Sequence, residues 1–199
     1  MMKFIKNLLF IFCKKKKPSK NIYGNNERYQ QNSASLIEIE ELGNANFHYT
    51  EFYASRTARE QGINNRPTEQ RILENLLKTS DKLQHLHLFL QEKFNTSNVV
   101  ITITSGYRNW QVNLLVGGSP TSRHMAGLAA DIKATILGME LAPDKLARLV
   151  IQSRIQFDQL LIENNILHLG FSEHEADNRN EVKFAEKIKG NWVTRKISI

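Results

Sequence analysis

Apolar side chains recur at helical spacing from Ile72 through Leu73, Leu76, Leu77, Leu83, Leu86 and Leu90 to Phe94. Pro67 and Thr68 stand at the opening, so the pattern predicts an amphipathic helix from there to Phe94, interrupted near Ser80–Asp81. Beyond Phe94 the period changes from about 3.6 to 2. Val99 to Thr104 (VVITIT) predicts a strand, SGYRNW a turn, and Asn109 to Val116 a short helix that Gly117 and Gly118 terminate. Gly127 to Ala134 (GLAADIKA) predicts a second strand, with Ala129 and Asp131 on one face and Ala130 and Ile132 on the other. Pro143 to Ile155 predicts a second amphipathic helix that buries Leu146, Leu149, Val150 and Ile155.

The sharpest local signal is FDQLLIENNILHLGF, residues 157–171. Asn164-Asn165 is a pair that tolerates positive φ, so residues 157–163 and 166–171 are expected to form a β-hairpin across a two-residue turn. In that register Glu163 opposes Ile166 and Leu161 opposes His168. Leu160, Ile162, Leu167, Leu169 and Phe171 then share the core face, while Gln159, Glu163 and His168 share the other. Glu163 and His168 become diagonal neighbours, with side chains able to reach one common point. Two further strands are expected between Val182 and Ile199, around Lys189-Gly190. Strands and helices mix without regular βαβ alternation, which predicts an α+β domain with a mainly antiparallel sheet flanked by helices.

Charge changes the picture only when it is located. The formal net charge of +7 resides wholly in residues 1–28, where eight Lys and Arg face Glu27 alone. The remaining 171 residues balance 19 basic against 19 acidic groups. A phosphate-tracking groove needs cations clustered on the folded domain, so nucleic-acid binding is not expected. The expected organisation is a basic, apolar tail at 1–20, a linker rich in Asn, Ser and Gln at 21–46 with a short helix near Leu36 to Leu42, and a domain at 47–199. The apolar run Leu8 to Cys13 is too short to span a bilayer and lacks a small-residue cleavage site. With Lys14 to Lys17 it suits an anchor on an anionic membrane surface, a degenerate export signal or a plain disordered arm. Cys13 is the only cysteine, so the fold contains no internal disulfide.

His124 and Asp131 flank a run of small residues in SRHMAGLAAD, which lets backbone and a metal ion approach closely, and His168 stands on the polar face of the hairpin. Two imidazoles and a carboxylate are a normal catalytic zinc set, with the fourth position open. By spacing alone a sheet histidine is more often simply hydrogen-bonded than a ligand. His85 and His87 lie two apart on different helix faces and suit surface or hydrogen-bonded core positions better than ligation. His48 and His174 fit no ligand pattern, although His174 is expected to border the cleft.

The run SGYRNWQVNLLVGGSPTSRHMAGLAAD, Ser105 to Asp131, resembles the core motif of the zinc D-alanyl-D-alanine carboxypeptidase and peptidoglycan endopeptidase family, whose fold is shared with the Hedgehog signalling domain. The pattern is SGYR, an Asn, VGG, Ser-x-His, Gly, Ala and Asp. The likeness continues through FDQLLIE, a later His, and the upstream FHYTEFYASRTAREQGINNRP, covering about residues 47–185. It implies one Zn²⁺ held by His124, Asp131 and His168. Arg108 would hold the scissile carbonyl oxygen or a substrate carboxylate, Tyr107 would bind substrate beside it, and Ser122 would hydrogen-bond the substrate backbone. Asp158 and Gln159 would orient a ligand histidine. Several relatives carry Glu three positions before the last ligand and Trp two before it, where this chain has Asn165 and Ile166. The hairpin register nominates Glu163 as general base instead, taking a proton from metal-activated water and passing it to the leaving amine.

The resemblance therefore implies a zinc peptidase acting on peptidoglycan stem peptides or cross-links. It would be a monomer of the cell envelope or extracytoplasmic space, of host or phage origin. The alternatives are a non-catalytic wall-binding module of the same fold and a phage lysin with the same chemistry.

Overall fold

The computed structural model describes residues 46–163, 165–189 and 191–197. The expectations for the 1–20 tail and for the 21–46 linker with its short helix lie outside the described residues, Asn46 apart.

The chain enters through two short helices, α1 (Tyr49–Tyr53) and α2 (Arg56–Glu60), before α3 (Gln70–Phe94). α3 runs for 25 residues without the break expected at Ser80–Asp81. Ser80 is buried and Asp81 solvated on the outer face, so neither interrupts the helix, and the buried polar residues just before them anchor another segment. Asn75 Nδ2 donates to the Ala126 carbonyl and Thr79 Oγ1 to the Gly127 carbonyl, both at 2.9 Å. Leu73, Leu76, Leu83, Leu86 and Leu90 bury the adjoining stripe in the core. His87 is buried and its ring hydrogen-bonds the Val99 carbonyl, whereas His85 is exposed, as their two-residue offset requires.

The strands form one seven-stranded sheet, ordered β1 (Val99–Ser105), β2 (Ala129–Ile136), β5 (Leu167–Gly170), β4 (Gln159–Ile162), β6 (Glu181–Ile188), β7 (Asn191–Lys196), with the two-residue β3 (Met139–Glu140) paired to β2. Every pairing is antiparallel except β4 with β6. The protein is thus α+β, with a mainly antiparallel sheet flanked by helices. α4 (Trp110–Leu115) is N-capped by the Asn109 side chain, and α5 (Pro143–Gln152) packs Leu146, Leu149 and Val150 inward. β2 begins two residues later than expected because Arg123–Ala126 forms a 3-10 turn. Gly127, at φ +71°, ends that turn, and a Cβ there would lie 2.9 Å from the Ile72 carbonyl oxygen of α3.

The hairpin adopts the expected register: Leu161 faces His168, Ile162 faces Leu167, and the Glu163 N–H donates to the Ile166 carbonyl at 3.1 Å. Leu160, Ile162, Leu167, Leu169 and Phe171 are all buried. Among the described residues no helix is long and apolar enough to cross a membrane.

Candidate metal centre

Three elements meet at the polar face of the sheet. Asp131 on β2 and His168 on β5 are direct cross-strand partners, and the 3-10 turn brings His124 over them. His124 Nε2 lies 3.1 Å from His168 Nδ1 and 3.2 Å from Asp131 Oδ1, while His168 Nδ1 lies 2.8 Å from Asp131 Oδ1. All three residues are buried, at 2%, 6% and 9% exposure for His124, Asp131 and His168.

The orientation of each ligand has a visible cause. His124 Nδ1–H donates to the Gly106 carbonyl at 2.6 Å, which turns Nε2 toward the centre as a lone pair. A Cβ on Gly106 would fall 2.2 Å from the Phe52 carbonyl oxygen, so only glycine lets this turn press against the end of α1. The neighbouring Tyr107 N–H donates to that same Phe52 carbonyl at 2.5 Å. Asp131 divides its carboxylate: Oδ1 faces the imidazoles, and Oδ2 accepts from Arg108 Nη2 at 2.8 Å. Arg108 is fixed in turn by Nε donating to Ser105 Oγ at 2.9 Å. A β-bulge between Ile103 and Ser105 in the β1–β2 ladder delivers that serine and the following turn to the site.

The donor set fits a cation. Burial lowers the His124 imidazole pKa, keeping it neutral. Burial also opposes ionisation of Asp131, but hydrogen bonding to its carboxylate, from His168 Nδ1 at 2.8 Å, favours the anion and the carboxyl is held well below its usual range. A lone pair of His124 therefore points at a carboxylate oxygen 3.2 Å away, an arrangement that a positive ion between them relieves. Zinc bonds of 2.0–2.1 Å in tetrahedral geometry separate donors by about 3.3 Å. The observed edges of 2.8–3.2 Å come within about 0.5 Å of this. Among the described residues this is the one group of three or more His, Cys, Asp or Glu donors close enough to share an ion.

The Peptidase M15 family model matches residues 45–169. The chain belongs to the peptidase M15 family. That family comprises zinc D-alanyl-D-alanine carboxypeptidases, so this M15 member is a metallopeptidase by descent, and its His124, Asp131 and His168 can hold the metal. No curated protein matches the chain.

The triad lies in a cleft of about 880 Å³ that Arg108, Ser122 and Glu163 also line. Glu163 is half-buried, and burial followed by the nearby Asp131 carboxylate raises its pKa. The Ser122 hydroxyl has no hydrogen-bond partner among the described residues. Arg108 reaches the cleft while tied to Asp131, so it is a clamp on a ligand as well as a cleft group.

Three expectations need correction. Tyr107 is 9% exposed and belongs to the core cluster, not to the cleft wall, because the close approach of Gly106 to α1 turns its ring inward. Asp158 orients no histidine: it is consumed by Arg179 at 2.6 and 2.9 Å, and Gln159 reaches toward Glu181. His174 is exposed and lies outside the cleft lining. His48 serves α1, its backbone N–H donating to Glu51 Oε1 at 2.8 Å. Asn165 and Ile166 are also absent from the cleft wall.

Sequence reasoning missed Asn65. Buried beneath the site, it donates to the Tyr53 and Tyr107 carbonyls and accepts from the Asn109 N–H, pinning the turn that carries Arg108. No periodicity flags a lone Asn in a loop. Equally, no side-chain signal could announce the Gly106 carbonyl that orients His124.

Proposed function

We propose that the protein is a zinc-dependent peptidase, on a DD-peptidase-like fold, that hydrolyses amide bonds in peptidoglycan stem peptides or cross-links. The observation that carries this reading is the convergence of His124 Nε2, Asp131 Oδ1 and His168 Nδ1 beside Glu163 in one cleft. His124, Asp131 and His168 would hold a single zinc ion, which when bound would supply Lewis acidity to the reaction. Glu163 takes the proton from the attacking water and gives it to the leaving amine. Its partial burial suits this double role by moving its pKa toward neutrality. Arg108, locked by Ser105 and Asp131, presents fixed positive charge where the carbonyl oxygen becomes anionic. Ser122 offers its hydroxyl to the substrate backbone.

The action is proposed for a monomer in the cell envelope or extracytoplasmic space, with residues 1–20 resting on an anionic membrane surface; both host and phage origins accord with this chemistry. Zinc-dependent release of peptides from purified cell wall, lost in His124→Ala and read as muropeptides by mass spectrometry, is the expected result. A zinc-loaded protein inert on every wall type overturns the proposal. Asn165 and Ile166, at positions where relatives carry Glu and Trp, favour a second reading as a wall-binding module. Glu163→Gln separates the two: under the peptidase reading it abolishes release while wall binding persists.

A further inference from the structure

Three large apolar side chains of α4 stand in solvent: Trp110, Leu114 and Leu115 are 68%, 69% and 53% exposed. At about 100° per residue they share one arc of about 140°, with the exposed Gln111 among them and the buried Val112 and Asn113 on the opposite side. The helix is fixed from beneath. The Asn109 side chain accepts from the Val112 N–H at 2.9 Å, Asn113 Nδ2 donates to the Ser119 carbonyl at 2.9 Å, and the Gly118 N–H donates to the Asn113 carbonyl at 2.8 Å. The arc is therefore a preorganised surface with little left to order on contact. A lone exposed leucine needs no explanation, whereas a contiguous apolar patch marks an interaction surface.

Charge and chain path indicate what covers it. From Ser105 to Ala130 the chain carries Arg108 and Arg123 and no Asp or Glu. Arg108 is committed to Asp131, while the Arg123 side chain is 45% exposed. α2 packs beside α4 and adds Arg56, which neutralises Glu60, and Arg59, which is exposed and has no ionic partner among the described residues. An indole and two leucines bordered by guanidinium groups match the boundary of an anionic bilayer: leucines sink, the indole N–H stays at headgroup level, and cations meet phosphate. The chain also enters on this side. The Tyr107 N–H, three residues before Trp110, donates to the carbonyl of Phe52, which is six residues from Asn46. Those nine residues span at most about 32 Å, whereas the 25 residues 21–45 reach up to about 85 Å, so residues 1–20 and α4 can meet one flat surface together. One short apolar signal such as Leu8 to Phe12 holds a protein to lipid only marginally, and a second makes the attachment stable.

We infer that the Trp110, Leu114 and Leu115 arc of α4 docks on an anionic lipid surface, as a second contact beside residues 1–20. The role of residues 1–20 rests on the reading above; docking by α4 does not. α4 also lines the cleft through Val112 and Val116, so docking holds the mouth of the cleft at the membrane.

The test uses the full-length protein with vesicles of phosphatidylcholine alone or mixed equally with phosphatidylglycerol, read by co-sedimentation and by quenching of tryptophan fluorescence with brominated lipid. Binding to the anionic vesicles is expected to be about tenfold tighter than to the neutral ones. Leu114→Gln combined with Leu115→Gln should weaken it about tenfold without changing the charge, and the lipid-quenched emission should fall in Trp110→Phe. These side chains are exposed, and melting curves confirm that the variants are folded. Binding unchanged by the double substitution, or quenching unchanged in Trp110→Phe, overturns the inference. Gln substituted at each of Lys14 to Lys17 tests the tail separately. Binding that survives that change but falls with the α4 change sinks the tail's role and leaves the docking face standing; the opposite pattern does the reverse. A wild type that ignores vesicles and forms a dimer lost in the double variant assigns the arc to a second copy and also overturns the inference.

Discussion

Asn65→Ala probes whether the site is held by the turn beneath it. Asn65 is 5% exposed, its Nδ2 donates to the Tyr53 and Tyr107 carbonyls at 2.9 Å each, and its Oδ1 accepts from the Asn109 N–H at 2.8 Å. Alanine deletes all three bonds. Each is worth about 1 kcal/mol net, and a polar group left dry costs more. The Tyr107 bond is fully buried, whereas the other two are partly buried and accessible to replacement by water. The expected loss is therefore about 3 kcal/mol, or a fall in Tm of about 6–12 °C for a chain of this size. A functional cost should accompany it. Tyr107 and Asn109 flank Arg108, whose guanidinium positions the Asp131 carboxylate, and loosening such support typically weakens metal affinity about 10–100-fold. Urea unfolding of the metal-free protein reads the first effect, and zinc titration against a competing chelator reads the second. A stability loss below about 1 kcal/mol together with unchanged zinc affinity would refute the reasoning.

Glu163→Gln should lower hydrolysis by about 10²–10⁴-fold while leaving zinc content unchanged, as kinetic assay and metal analysis on the same sample will show. Gly106→Ala places a Cβ 2.2 Å from the Phe52 carbonyl oxygen, a backbone clash that no rotamer relieves. A loss of about 3 kcal/mol and weaker zinc binding through a misaligned His124 are expected from melts and chelator competition. Burial pushes the Asp158 carboxyl up, but Arg179's bonds and charge, with Arg123 behind them, outweigh burial and lower its pKa. A carboxyl lowered on folding contributes stability present above its unfolded pKa of about 3.9 and lost as pH falls through the folded value. Arg179→Ala should therefore show a shallower loss of stability in acid than the wild type, measured by urea midpoints across that range.

How much of this was legible depended on the range of the interaction. The hairpin register was readable because a period of 2 on both arms and a two-residue Asn turn admit one pairing that keeps Leu160, Ile162, Leu167 and Leu169 on a single face. That register brought Glu163 beside His168 without any knowledge of the rest of the sheet. The cross-strand partnership of Asp131 with His168 was not readable, because β3, α5 and β4 all intervene between β2 and β5 and nothing in either strand names its neighbour. The break expected in α3 failed for a related reason. Ser80 and Asp81 look like weak helix positions in isolation, yet Ser80 is buried beside Thr79, which with Asn75 ties down the turn after His124. The role beside a histidine that the resemblance implied for Asp158 does not hold, and its actual partner Arg179, 21 residues on, has no local sign in the sequence.

Whether His124, Asp131 and His168 together bind one zinc ion is measured most directly by metal analysis joined to X-ray absorption on the purified protein. The account predicts about one zinc per chain, two nitrogen and at least one oxygen ligand near 2.0–2.1 Å, and loss of the metal in His124→Ala and in His168→Ala. Zinc retained at full stoichiometry in both variants, or a wild-type protein that takes up none at micromolar concentration, would contradict it.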